Sequence, residues 1–276
     1  KCGLISTISS PGLHTTSPDP KILQKIFFDY QKQGYTHVVC EVTSHALDQY
    51  RYWGCHFKIG VITNISHEHL DYHKNIDNYI AAKAKLFQHS SLAILNRDDE
   101  HYLALKKLIK VPTLSYGLKN NADIRADKIN ISKTSLEFSI KDKSFSTDSN
   151  YQYQLYNLLA CWGVFSQLNL DTEIFKNTIA SFPEVKGRRE KVDNELHLNT
   201  IIDFAHTPNA LLATLTSLRQ TSPGRIIVIF GATGGRDKNK RPIMGKIVSE
   251  NADIAIITAD DTRNEKVEDI NNQIIS

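Results

Sequence analysis

Between residues 76 and 87 apolar side chains return every three to four positions. Ile76, Tyr79, Ile80 and Phe87 stand at offsets 0, 3, 4 and 11, one face of a 3.6-residue period, which predicts a helix. Lys83 falls at offset 7, in the middle of that face, while Lys85 points away from it. A lysine there has two readings. It snorkels out of a loosely packed edge, or it is a buried amine whose desolvation pushes the pKa toward the neutral form. Around it the pattern alternates strand and helix: the amphipathic "PKILQKIFFDYQKQG" with Gly34 at its C-cap, the strand "THVVCEV", the strand "KIGVITNIS", the Lys83 helix and the strand "SLAILNRDD". Continuous apolar strands separated by helices predict a parallel sheet covered on both faces.

The period changes from about Ala122 to Asn150. "DKINISKTSLEFSIKDKSF" alternates apolar and polar residues, which predicts antiparallel hairpins with one wet face. "YNLLACWGVFSQL" and "DTEIFKNTIASF" return to helix. Pro183 and Gly187 then interrupt the pattern, and "NTIIDFAHTP", "NALLATLTSLRQ", "RIIVIFGATGG", "PIMGKIVSENA" and "DIAIITADD" start a second α/β alternation, so a domain boundary is expected near residue 187. With neither a starting Met nor a signal peptide in "KCGLISTISS", and with "EDINNQIIS" ending in a helical pattern, the chain reads as an internal piece of something longer.

Composition narrows the function classes. A net charge of +3, from 33 basic and 30 acidic residues, is too balanced for nucleic acid or an anionic membrane to be the main partner. No apolar run approaches the length of a spanning helix. Cys2, Cys40, Cys55 and Cys161 show no paired spacing, and Cys40 and Cys161 lie in apolar runs; they read as buried free thiols of a reducing compartment, the cytoplasm by default.

In open α/β sheets ligands gather beyond the carboxyl ends of strands. Glu41 and "VTSHALDQYR" follow one strand, and "NISHEHLDYH" follows the next, so one rim carries a carboxylate and several histidines beside the Lys83 helix. Oxygen ligands with an imidazole suit a hard or borderline divalent metal. Zinc is the rival, through His69 and His73 four apart, but "HEHLDYH" lacks HExxH spacing and no thiolate is near. Histidines that merely cap turns are the plain alternative. "FGATGGRDKNKRP" is a Gly-rich turn after a strand with Arg236, Lys238, Lys240 and Arg241, able to accept anionic groups, though it does not fit GxxxxGK[ST] and no such loop exists in the chain. "TADDTRNE" offers carboxylates and Arg263, a set suited to a zwitterion or simply to a solvated turn.

The order of "TTSPDP", "EVTSHALDQYR", "TNISHEHLDYH", "YIAAKAKLF", "YNLLA", "GRREKVD", "DFAHTPNAL" and "GATGGRDKNKRP" resembles that of the Mur ligases over nearly all 276 residues, most of all the UDP-N-acetylmuramoyl-tripeptide synthetase branch, which adds the third peptide residue of the peptidoglycan precursor. The resemblance implies an α/β fold in which residues 1–187 are the central ATPase domain without its phosphate loop and 188–276 are part of a Rossmann-like C-terminal domain. It implies a carbamylated Lys83 that binds magnesium with Glu41 and His69, and contacts from Thr15, Thr16, Thr43, Gln49 and Arg51 to the UDP-N-acetylmuramoyl-dipeptide. Asn157, Arg188, Asp203 and His206 match positions that meet ATP or join the domains. Without the phosphate loop this piece alone is expected to be inactive. A cyanophycin-synthetase-like or folylpolyglutamate-synthetase-like amide ligase, or a non-catalytic relative, are the competing readings, against which "HLDYH" and "TTSPDP" argue.

The resemblance also bears on the third amino acid. Members that add meso-diaminopimelate carry DNPR, whose arginine holds the distal carboxylate that L-lysine lacks. Here the stretch is Asp260, Asp261, Thr262 and Arg263, with Arg236 matching a second arginine. An Arg–carboxylate pair contributes about 1.5–3 kcal/mol, so diaminopimelate is expected over lysine, although Asp261 in place of Asn adds negative charge and Thr262 in place of Pro loosens the turn.

Overall fold

The computed structural model describes residues 1–8, 16–66, 68–132, 134–149 and 151–276. Strand β1 (Cys2–Ile5), helix α1 (Pro20–Lys32) and strand β2 (His37–Cys40) form a parallel unit in which Cys2 faces His37 and Ile5 faces Cys40. The Asp19 carboxylate caps α1 by accepting from the Lys21 and Ile22 N–H groups, and Pro20 fills its first turn. Gly34 follows the C-cap Gln33 at φ +74°, a left-handed turn that glycine takes without a Cβ penalty.

Next come α2 (Ser44–Asp48), β3 (Gly60–Ile62), α3 (Leu70–His73), α4 (Ile76–Ala84, continued by a 3-10 turn at Lys85–His89), β4 (Ala93–Asn96), α5 (Tyr102–Leu108), β5 (Thr113–Gly117) and β6 (Ile124–Arg125). Strands β3, β4, β5 and β6 lie in that order in one parallel sheet, so the expected βαβ topology is present. β3 is shorter than its apolar run: it ends at Ile62, and the following "TNIS" is loop. Asn96 Nδ2 and Tyr116 Oη donate to the Thr63 carbonyl at 3.1 and 3.3 Å, and Asp99 Oδ2 accepts from the Ile65 N–H at 2.7 Å. Those bonds fix the loop that carries the histidines.

Strands β7 (Asp127–Ile131), β8 (Leu136–Ile140) and β9 (Lys143–Thr147) make the expected antiparallel meander. Helices α6 (Gln152–Gln167) and α7 (Thr172–Ala180) follow. Leu136, Leu155 and Leu159 are fully enclosed where α6 meets the meander, with Phe138, Phe145 and Phe175 around them. Cys161 departs from expectation: it is exposed and Cys40 is only half-buried. An apolar run in a helix has an outward face, and Cys161 occupies it.

The second unit holds the antiparallel pair β10 (Arg188–Val192) and β11 (Thr200–Asp203), helix α8 (Pro208–Thr221), β12 (Ile227–Phe230), α9 (Lys240–Asn251), β13 (Ile254–Ile257) and α10 (Val267–Ile275). β12 and β13 pair in parallel. Leu211, Leu215, Met244 and Val248 bury the faces of α8 and α9 against that sheet, a separate core from those of the first unit. No helix among the described residues is long and apolar enough to cross a membrane.

Candidate functional site

The α4 helix turns its apolar face inward as its period predicts: Tyr79, Ile80 and Phe87 are buried. Lys85, on the other side, donates to Asp48 Oδ1 at 2.7 Å. Lys83 Nζ lies 5.2 Å from the centre of the Tyr79 ring, and loss of water pushes its pKa below the ordinary lysine value, opposed by the Glu68 and Asp99 carboxylates. Removing water from an ammonium shifts the equilibrium toward the free amine, the nucleophilic form.

His69 lies by the same ring, its centroid 6.1 Å from that of Tyr79. It precedes α3 at φ +58°, a left-handed conformation that costs a non-glycine residue about 1–2 kcal/mol. Such strain persists where surrounding structure enforces it. Burial lowers the His69 pKa to about 4, with His45 and Lys83 adding to the effect and Glu68 opposing it. The imidazole is therefore neutral near pH 7. The His45 ring sits 4.9 Å from His69 and 4.3 Å from Tyr72, and His73 Nε2 is 3.0 Å from Ser44 Oγ. These contacts tie α2, α3 and α4 into one block.

Glu41 follows β2, and its Oε2 accepts from the Thr7 N–H at 2.9 Å and the Thr7 hydroxyl at 3.0 Å. Among the described residues no group of three or more His, Cys, Asp and Glu side chains is placed to hold a metal ion. The expected trio is two such residues and a lysine, and an ammonium has no lone pair to offer. Lys83 could offer the hard oxygen ligands magnesium prefers only as a carbamate. The depressed Lys83 pKa is the property that modification needs.

Thr16, Thr43, Gln49 and Arg51 gather around a residue that the motif reading passed over, Ser17, which is 2% exposed. Ser17 Oγ accepts from the Thr43 N–H at 3.1 Å and donates to the Glu41 carbonyl at 3.2 Å, while its own carbonyl accepts from Arg51 Nη1 at 2.7 Å. Arg51 also donates from Nε and Nη2 to Gln49 Oε1, and Thr16 Oγ1 lies 2.7 Å from Thr7 Oγ1. Thr43 Oγ1 caps α2 by accepting from the Ala46 N–H. Thr15 lies outside the described residues. The only sequence signal for Ser17 was its place in "TTSPDP".

The nucleotide candidates come from three elements. Arg188 and Asp203 face each other across β10 and β11, and the Arg188 guanidinium stacks 4.3 Å from the Phe204 ring centre. Thr214 Oγ1 donates to Asp203 Oδ2 at 3.0 Å. Asn157, on α6, donates to Gln154 Oε1 at 3.3 Å and is exposed. His206 Nε2 and Glu68 Oε1 meet at 2.6 Å across the two units, Lys240 Nζ donates to the His206 carbonyl at 2.8 Å, and Arg236 Nη1 stands 3.6 Å from Asp71 Oδ2. Glu68 and Asp71 were not singled out by sequence, because their partners lie more than a hundred residues away.

Arg263 packs beside Gly235, next to Arg236: a Cβ on Gly235 would stand 3.4 Å from Arg263 Cδ. Asp260 Oδ2 accepts from Thr233 Oγ1 at 2.8 Å, and Asp261 Oδ2 lies 3.4 Å from Arg263 Nε. Thr262 contributes its carbonyl, which accepts from the Glu265 N–H at 3.0 Å. Both arginines expected to read the amino acid thus stand on neighbouring loops.

Residues 1–165 match the family description Mur ligase middle domain, and residues 187–276 match Mur ligase, glutamate ligase domain. The UDP-N-acetylmuramoyl-L-alanyl-D-glutamate–2,6-diaminopimelate ligase 2 of Clostridium acetobutylicum is 37% identical over 94% of this chain and 54% of its own length. The corresponding ligase of Trichormus variabilis is 39% identical over 95% of the chain and 55% of its own. A solved structure of a diaminopimelate ligase superposes with a TM-score of 0.68 at 30% identity, over 99% of this chain and 59% of that one. The chain therefore spans little more than half the length of the relatives it matches. On these matches and the shared fold, the chain belongs to the Mur ligase family.

Proposed function

We propose that the protein carrying this chain is an ATP-dependent amide ligase that adds meso-diaminopimelate to UDP-N-acetylmuramoyl-L-alanyl-D-glutamate in peptidoglycan precursor synthesis. The observation that carries the reading is Lys83, an amine desolvated on the apolar face of α4 beside a neutral His69. In this reading ATP phosphorylates the D-glutamate side-chain carboxylate, giving an acyl phosphate and ADP, and the amine of the incoming amino acid displaces phosphate. A magnesium ion would supply neutralisation of the negative charge that develops in phosphoryl transfer. Glu41, His69 and Lys83, the last as a carbamate, would hold that ion, and Thr15, Thr16, Thr43, Gln49 and Arg51 orient the UDP-linked substrate. Asn157, Arg188, Asp203 and His206 orient the nucleotide. The protein acts chiefly by positioning and charge stabilisation.

Diaminopimelate is favoured over lysine because Arg236 and Arg263 stand on adjacent loops, offering two guanidinium groups where lysine has no second carboxylate to give. The domain reading, 1–187 for the central part and 188–276 for the amino-acid-binding part, follows the Pro183–Gly187 break and the separate cores on either side. A piece without a phosphate loop is expected to be inactive alone, and a cytoplasmic location matches the soluble substrates. The test is the full-length protein supplied with ATP, the UDP-linked dipeptide and each amino acid in turn. A higher kcat/KM for diaminopimelate that collapses toward parity in Arg263→Ala supports the assignment. Preference for lysine, or undiminished selectivity in the variant, removes it.

A further inference from the structure

The most enclosed charged side chain of the second unit belongs to neither substrate contact nor nucleotide contact. Arg241, near the start of α9, has no accessible surface. Its Nη1 donates to Glu265 Oε2 at 2.9 Å and to Gln273 Oε1 of α10 at 2.7 Å, and its Nη2 donates to Glu265 Oε1 at 3.1 Å and to the Thr233 carbonyl at 3.1 Å. The pairing with Glu265 is bidentate, the geometry that fixes a carboxylate in orientation as well as distance.

Glu265 does more than neutralise Arg241. Its Oε1 also accepts from the Gly235 N–H at 2.6 Å, and Lys238 Nζ stands 3.0 Å from its Oε2. Gly235 directly precedes Arg236, and Glu265 lies two residues after Arg263. The carboxylate therefore clamps the Gly-rich loop 231–239 to the acidic loop 258–266, with the guanidinium of Arg241 behind both. Two further bonds join the same loops: the Gly234 N–H to the Asp261 carbonyl at 2.8 Å, and Thr233 Oγ1 to Asp260 Oδ2 at 2.8 Å. The approach is close enough that a Cβ on Gly234 would run into the Thr262 carbonyl. Arg236 and Arg263 keep side chains about 40% exposed on the outer side of this seam. Arg241 lies beneath the seam with no accessible surface, while Arg236 and Arg263 stand open to a ligand.

We propose that the Arg241–Glu265 pair is a positioning clamp that sets the spacing of Arg236 and Arg263, so that the two guanidinium groups are pre-arranged for an amino acid with two carboxylates. Neither Arg241 nor Glu265 touches the ligand. They act through the loops, removing the ordering cost that two independent loops would meet on binding. The role rests on the ligase reading above and deepens it, because it places the source of amino-acid selectivity beneath the arginines rather than in them alone.

The test is a double-mutant cycle in the full-length enzyme, with KM determined separately for diaminopimelate, ATP and the UDP-linked dipeptide. Glu265→Gln keeps the size of the side chain and removes its charge. It is expected to raise KM for diaminopimelate by about tenfold while the other two KM values change less than about twofold. In an Arg263→Ala background the same change should add less than about threefold, since residues acting as a unit are not additive. If Glu265→Gln does not fold, Thr233→Val loosens the same seam outside the buried pair and should raise KM for diaminopimelate alone by about threefold. Equal rises in all three KM values, or full additivity with Arg263→Ala, would assign the pair to stability only and overturn the clamp. A wild-type enzyme that ligates neither diaminopimelate nor lysine overturns the ligase reading itself, and an active wild type with additive variants overturns only the clamp.

Discussion

At Lys83, burial penalises the ammonium and by the same physics makes the amine available. In the proposed carbamate form the side chain would be an anion with oxygen donors, and because burial penalises either sign of charge it would need a cation such as magnesium beside it. Lys83→Ala in the full-length enzyme is expected to abolish ligase activity, with partial recovery on adding formate or acetate. Full activity in that variant would show that the amine has no part in the chemistry. Asp261 supplies a second prediction at this scale. Its carboxylate lies 3.4 Å from Arg263 Nε, where it would compete with the proposed substrate carboxylate for the same donor. Asp261→Asn removes the competing charge and is expected to lower KM for diaminopimelate by a few-fold, about the worth of an exposed ion pair. An unchanged or raised KM would mean that Asp261 orients Arg263 rather than occupying it. Helical period alone placed Lys83 on the inner face. It could not identify Ser17, Glu68 or Glu265, whose roles come from partners far along the chain and carry no local pattern.

Among the elements, those with the longest and cleanest period were the most legible. The two-residue alternation from about Ala122 to Asn150 predicted antiparallel hairpins, and β7, β8 and β9 form an antiparallel meander. The long apolar pattern of "YNLLACWGVFSQL" became α6, although it could not tell which residues faced out, and Cys161 did. The strand expected over "KIGVITNIS" stops at Ile62 because the next residues are bound by side chains of Asn96, Tyr116 and Asp99 instead of a neighbouring strand. Leu159 is 0% exposed where α6 packs on β4, β5 and the meander. Leu159→Ala should destabilise the protein by about 2–5 kcal/mol, the loss of apolar transfer plus the cavity left behind. Denaturant unfolding measures it, and a loss under about 1 kcal/mol would mean that the helix repacks over the gap.

Across the whole molecule, the two units meet through charge. The Glu68–His206 pair, the Lys240 bond to the His206 carbonyl and the Arg236–Asp71 pair all cross the break near residue 187. Pro183 and Gly187 suggest a break in the sequence, but the contacts around it carry no local signal, since each joins residues far apart in the chain. Their electrostatics set a pH window. The bond from Glu68 raises the His206 pKa above its ordinary 6.5, with burial opposing. For Glu68, burial works the other way, but the bond from His206, with the charges of His206 and Lys240, outweighs it and brings the carboxyl to about 2. A raised histidine contributes stability that is fully present below 6.5 and is lost as pH rises through its folded value. The pair should therefore hold the units together best in mildly acidic solution and release them toward alkaline pH. Paired fluorophores on the two units, read from about pH 6 to 9, should report increasing separation. In Glu68→Gln, which keeps an acceptor but removes the charge that raises the His206 pKa, the transition should shift to lower pH. A separation that is flat with pH in the wild type, or an unshifted transition in the variant, would place the control of the interface in the Arg236–Asp71 and Lys240 contacts.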